Sequence, residues 1–104
     1  MKHLKKILAI VLIAVSLFAI ALPALAEYGI FNTGGIKLRN GPNSSTYYGY
    51  VMSGTRCSIL STQADSTGAN WMKVTIDSRD RNNGTNASLT MYTGWVPDWC
   101  ISPN

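Results

Sequence analysis

Residues 71–76 read Trp71-Met72-Lys73-Val74-Thr75-Ile76, and they alternate in character along their whole length. In an extended chain Met72, Val74 and Ile76 fall on one side, and Trp71, Lys73 and Thr75 on the other. A period of two with β-branched residues marks a half-buried strand; a helix would need its apolar residues three and four apart. The same pattern recurs on both sides of this segment. Arg56 to Thr62 alternates and is followed by the polar stretch Gln63 to Asn70. Tyr47 to Met52 is rich in aromatics and ends at Ser53-Gly54, while Ile36-Lys37-Leu38-Arg39 sits between Gly34-Gly35 and Asn40-Gly41-Pro42. Beyond Ile76, Asp77 to Ser88 carries asparagines and scattered charges and reads as a long flexible loop. Leu89 to Tyr92 and Gly94 to Val96 supply the last strands, and Pro97-Asp98-Trp99 predicts one turn of 3₁₀ helix before Cys100-Ile101. Five or six short strands separated by turn residues at these spacings predict an all-β domain, a small antiparallel barrel.

The chain of 104 residues opens in a different style. Lys2, Lys5 and Lys6 precede an apolar run from Ile7 to Leu22, Pro23 breaks it, and Ala24-Leu25-Ala26 supply small residues for a peptidase. Basic start, apolar core and A-x-A end are the parts of a secretory signal, so residues 1–26 are expected to be a signal peptide and residues 27–104 the working domain. The other reading is a retained anchor, but the apolar run falls short of the roughly 20 residues that span hydrocarbon. The expected location is secreted, extracellular or at the cell envelope, with no membrane association once the signal is cut.

Removing the leader changes the charge that matters. The whole chain carries a formal +4, but three of its nine basic residues lie in the leader, which leaves six basic against five acidic. A nearly neutral domain lacks the basic footprint that nucleic acid requires, so no nucleic-acid partner is expected. The single histidine, His3, also belongs to the leader, leaving no imidazole for a metal site or for general-base catalysis. Without it a serine or threonine nucleophile would need a lysine or carboxylate base, and Lys37 and Lys73 stand on strand faces with no motif around them. No enzyme activity and no cofactor are expected. Cys57 and Cys100 are the only cysteines, and an exported context predicts that they pair in one disulfide. Closing a loop of about 44 residues would stabilise by roughly 4 kcal/mol in the chain-entropy account.

The order of motifs carries a resemblance. Leu38-Arg39-Asn40-Gly41-Pro42-Asn43, then Gly54-Thr55-Arg56-Cys57-Ser58-Ile59-Leu60, then Trp71-Met72-Lys73-Val74, then Gly94-Trp95-Val96-Pro97-Asp98-Trp99-Cys100-Ile101 follow one another along the chain. In that order they resemble segments of bacterial Src-homology-3 domains, from about Gly34 to Ile101. The resemblance implies a five- or six-stranded barrel acting as a binding module, often for cell-wall (peptidoglycan) peptides or glycans. The chain departs from the family in its longer Asp77–Ser88 connection and in Cys100, which stands where an aromatic often closes the last motif.

Four residues stand out as ligand-binding candidates. Trp71 shares the polar side of its strand with Lys73, which implies either a lid of neighbouring side chains or a contact surface; the resemblance adds that an aromatic here lines the groove of the related eukaryotic domains. Tyr47 is one of three tyrosines after Gly41-Pro42, and alternation places it opposite Tyr48 and Tyr50. Trp99, in the expected turn, is placed to rim a groove, while Trp95 reads as core or semi-core. Arg39 is suited to a two-point contact with a carboxylate ligand or to a structural pair with Asp98. Trp71, Tyr47 and Trp99 are expected to meet on one face with Arg39 near its edge. Two partner classes follow: a cell-wall peptide or glycan for a non-catalytic module, or an extracellular protein for a small secreted effector or inhibitor that binds through Asp77–Ser88.

Overall fold

The computed structural model describes residues 27–104; the signal-peptide reading of residues 1–26 lies outside them. Seven strands form one antiparallel sheet: β1 (Glu27–Phe31), β2 (Ile36–Arg39), β3 (Tyr47–Val51), β4 (Arg56–Ala64), β5 (Asn70–Ile76), β6 (Thr93–Pro97) and β7 (Ile101–Pro103). Their order is β3-β2-β6-β5-β4-β1-β7. All seven send side chains into a single core, among them Phe31, Leu38, Val51, Cys57, Val74, Ile76, Val96 and Ile101. A single sheet that encloses one core from all its strands must curl round it, yet β3 and β7 at its two ends are not paired. The fold is therefore all-β, as the alternation predicts, but the sheet is not closed into a barrel.

Period-two patterning holds where it is strongest. Val74 and Ile76 of β5 are buried, and Gly94 and Val96 of β6 are buried between half-exposed neighbours. The 3₁₀ turn falls at Asp98–Cys100, one residue from its expected place. β1 and the short β7 add to the five or six strands expected, and Leu89–Tyr92 is not a strand. Leu89 is instead a buried plug that packs on Gly49, and the Thr90 amide donates to the Tyr48 carbonyl at 3.0 Å.

Three further expectations are corrected. Cys57 and Cys100 are free thiols, both buried in the core, rather than a disulfide. The Cys100 thiol donates to the Pro97 carbonyl at 2.9 Å, and burial pushes the Cys57 thiol up to about 11 and that of Cys100 to about 12. Tyr47 is not opposite Tyr50. Gly49, at φ +136°, lies in a bulge where β3 spends two residues against Leu38 alone, so the alternation slips by one. The slip puts Tyr47 and Tyr50 together on the outer side, edge to face with ring centroids 5.5 Å apart, and leaves Tyr48 against the core.

The Asp77–Ser88 connection is not a flexible loop but two short 3₁₀ turns, Ser78–Asp80 and Gly84–Ser88, fixed by buried polar groups. Asn86 is 0% exposed; its Oδ1 accepts from the Met52 amide at 3.0 Å, and its Nδ2 donates to Thr55 Oγ1 at 2.7 Å and to the Asp80 carbonyl at 3.1 Å. Asp80 accepts from the Arg56 amide and from its guanidinium Nε and Nη2, each at 2.9 Å. These bonds satisfy groups that would otherwise be costly to bury.

Candidate functional site

The outer face of β3, β2, β6 and β5 gathers Tyr47, Tyr50, Trp71 and Trp95 with Lys37, Arg39 and Lys73. Register sets their neighbours: Arg39 lies across from Tyr47 on one side and Trp95 on the other, Trp95 across from Lys73, and Pro97 across from Trp71. Lys37, two residues before Arg39 on β2, shares its side, and the Lys37 Nζ stands 4.8 Å from the centre of the Tyr47 ring. A cation over an aromatic face is held by the ring's quadrupole. The Tyr47 and Tyr50 hydroxyls lie 3.4 Å apart, a contact that raises the pKa of Tyr50 above the ordinary tyrosine range.

Gly94 makes the β2–β6 crossing possible. A Cβ at this position would sit 2.7 Å from the Arg39 carbonyl oxygen and 2.8 Å from Leu38 Cγ. The strands pair only at Arg39 and Trp95. Beyond that point, towards Gly35 before β2 and Trp99 after β6, they run apart and leave a groove of about 240 Å³ lined by Gly35, Ile36, Lys37, Arg39, Pro97 and Trp99.

The structure brings the four candidates around one another but not in the expected roles. Trp99 is 62% exposed and Tyr47 41%, in keeping with surface positions. Trp71 points to the outer side, as its period requires, yet is only 7% exposed. It is covered by the lid that the sequence allowed as an alternative. Its indole Nε1 donates to Asp65 Oδ2 at 2.8 Å, and the Arg39 guanidinium lies over its ring at 5.8 Å. Arg39 is thus the hub of the face rather than its edge. Its Nη1 donates to the Ser44 carbonyl, and no ion pair joins it to Asp98.

Asp65 is the residue that sequence reasoning missed. Its Oδ1 accepts from the amides of Thr67 at 2.8 Å and Ala69 at 3.1 Å, closing the β4–β5 turn. The Thr67 hydroxyl, the Trp71 indole and these amides hold its carboxyl down at about 2. The Asp-Ser-Thr-Gly run announces a turn, but nothing local shows that its carboxylate reaches six residues on to an indole. Nothing local marks Lys37, Lys73 and Tyr50 as site residues either, because their common face depends on register and on the β3 bulge.

Chemically, this face offers cations, aromatic planes and a shallow groove. The two ion pairs among the described residues, Arg56–Asp80 and Arg79–Asp77, both lie in or against the Asp77–Ser88 connection, so Lys37, Arg39 and Lys73 have no carboxylate partner there. A second hollow of about 530 Å³, lined by Tyr28, Arg56, Cys57, Asp77, Arg79 and Asn104, has its charges already paired. The chain matches no family model, no curated protein and no solved structure with which it was compared.

Proposed function

We propose that this protein is an exported, non-catalytic binding module of Src-homology-3-like build, its barrel left open between β3 and β7, which recognises a cell-wall peptide or glycan or another envelope component through the outer face of β3, β2, β6 and β5. One observation carries this reading: exposed aromatics and cations without ion-pair partners among the described residues share a single face that borders a groove. Solvent-facing rings keep apolar area in contact with water, a cost that a partner relieves by covering them, and unpaired cations on rings are free to meet one. A protein partner held by Asp77–Ser88 is less favoured, since that segment directs Asp80 and Asn86 into the fold.

Sedimentation of the purified protein with insoluble peptidoglycan tests the proposal. Retention that Trp99→Ala abolishes without lowering the melting temperature is expected. A protein that stays in the supernatant with every wall fraction would overturn it.

A further inference from the structure

We propose that the groove bounded by Lys37, Arg39, Pro97 and Trp99 binds an acidic glycan, a sugar chain bearing carboxylates, by seating one acidic ring at a time. The proposal rests on the outer face being a binding surface and adds the chemistry of what it binds.

Charge is the first argument. Lys37 and Arg39 line the groove, Lys73 lies further along the same face, and none of them is in an ion pair among the described residues. The carboxylate closest to this face in the hydrogen-bond network, Asp65, is spent on the Trp71 indole and on its own turn. Asp98, next to Trp99, makes no ion pair with either groove cation. The groove therefore holds two cations in no ion pair among the described residues, and the complement of such a pair is an anion.

Arg39 is held ready for such a contact. Trp71 supports its guanidinium from below and the Ser44 carbonyl takes Nη1, while its Nε and Nη2 donate to none of the described residues. Those two nitrogens form a side of the guanidinium fork that matches the two oxygens of a carboxylate. Order imposed before binding reduces the entropy lost on binding.

The rings give the second argument. Trp99 is exposed, yet its backbone is pinned: Asn32 Nδ2 donates to the Trp99 carbonyl at 3.2 Å, and the Asn32 amide donates to the Cys100 carbonyl at 2.9 Å. With Pro97 beside it, the indole offers a flat apolar plane whose negative face suits the weakly positive C–H face of a sugar ring. Size is the third argument. About 240 Å³ lies below the roughly 300–1,000 Å³ of pockets that engulf a whole small molecule, so the groove takes one unit of a longer chain. A peptide read as an added strand would call for side-chain pockets at alternate positions, whereas the walls here are ring planes and cations.

Calorimetric titration at low salt with three probes tests this: tetragalacturonate, the neutral sugar chain maltotetraose, and a tetraglutamate peptide that has carboxylates but no sugar ring. Tetragalacturonate is expected to bind at least tenfold more tightly than either of the others, and to weaken as salt screens the cations. Trp99→Ala and Lys37→Gln should each weaken it tenfold or more with melting temperatures unchanged. Equal binding of tetraglutamate would reduce the groove to a patch of charge, and equal binding of maltotetraose would remove the role of the cations; either result overturns the proposal. Peptidoglycan retention that depends on Trp99, with no tetragalacturonate bound, would sink the acidic-sugar assignment and leave the binding module standing. Tetragalacturonate binding without retention on the wall would sink the cell-wall target and leave the acidic-sugar assignment standing.

Discussion

In the Asp77–Ser88 connection each charged side chain has a partner in the protein: Asp77 holds Arg79 at the surface, Asp80 holds Arg56, and Arg81 donates to the Ile76 carbonyl and lies 4.4 Å over the Tyr92 ring. On the outer face of β2, β5 and β6, Lys37 and Arg39 lie over aromatic rings and make no ion pair among the described residues. Both regions are rich in polar and aromatic groups. In the first, Asp80 and Asn86 are turned inward and fix a segment that composition alone marks as loose. In the second, they stand on strands already fixed by the ladder and remain available. Density of charge therefore says little about function here, and the state of pairing says more.

The sharpest test of this contrast is Trp71→Ala. Although Trp71 is on the outer face, it is buried beneath Arg39 and Asp65, so truncation should cost about 3–5 kcal/mol. Thermal melting reads this directly. A melting temperature close to wild type would restore Trp71 as an exposed contact residue and break the division drawn here. Asn86→Ala removes three hydrogen bonds from the buried network and leaves the Thr55 hydroxyl and the Met52 amide short of a partner. About 2–3 kcal/mol should be lost, visible as a drop of roughly 10–20 °C for a domain of this size. If Asp77–Ser88 were a loose loop after all, the same substitution would be nearly silent.

Titration separates the regions further. The buried thiols have folded pKa values of about 11 and 12, above the unfolded value near 8.5. Their contribution to stability is complete below that unfolded value and is lost as pH rises through the window up to about 12. Denaturation midpoints should fall in that window, and less so in Cys57→Ala. At neutral pH iodoacetamide should modify neither thiol of the folded protein, and both once it is unfolded without reductant; failure to label two thiols would mean that the cysteines are bonded.

On the acid side the signs reverse. Asp77 and Asp80 are held below the usual carboxylate range by Arg79 and Arg56 respectively, and Asp65 is held at about 2 by its turn and Trp71. Their contribution is present above an unfolded pKa near 4 and is lost as pH falls towards 2. Because the pairs are partly solvated, the loss should be modest and should shrink in high salt. The smallest effect belongs to Tyr47→Ala, on an exposed ring: within about 0.5 kcal/mol by chemical denaturation. A larger loss would mean that the Tyr47–Tyr50–Lys37 cluster is scaffold.

Alternation alone determined the strand class and the inward sets of β2 and β5, because side-chain direction in a strand is local and repeats every two residues. On β6 it is Gly94 and Val96 that face the core, and Trp95, which reads as core or semi-core, lies half-buried on the outer side. Turn chemistry determined the breaks at Gly34-Gly35, Ser53-Gly54 and Pro97-Asp98 for the same reason, since glycine and proline act on their own backbone angles. It did not determine what covers an outward residue. Trp71 faces out in sequence and is buried in the fold, because its lid comes from Asp65 across a turn and from Arg39 on a strand two places away in the sheet. The bulge at Gly49 moved Tyr47 and Tyr50 to one side, and a run of asparagines became an ordered plug through bonds to Met52 and Thr55, over thirty residues distant. Burial, pairing and the groove are properties of neighbours, and for this chain the tertiary structure chose the neighbours.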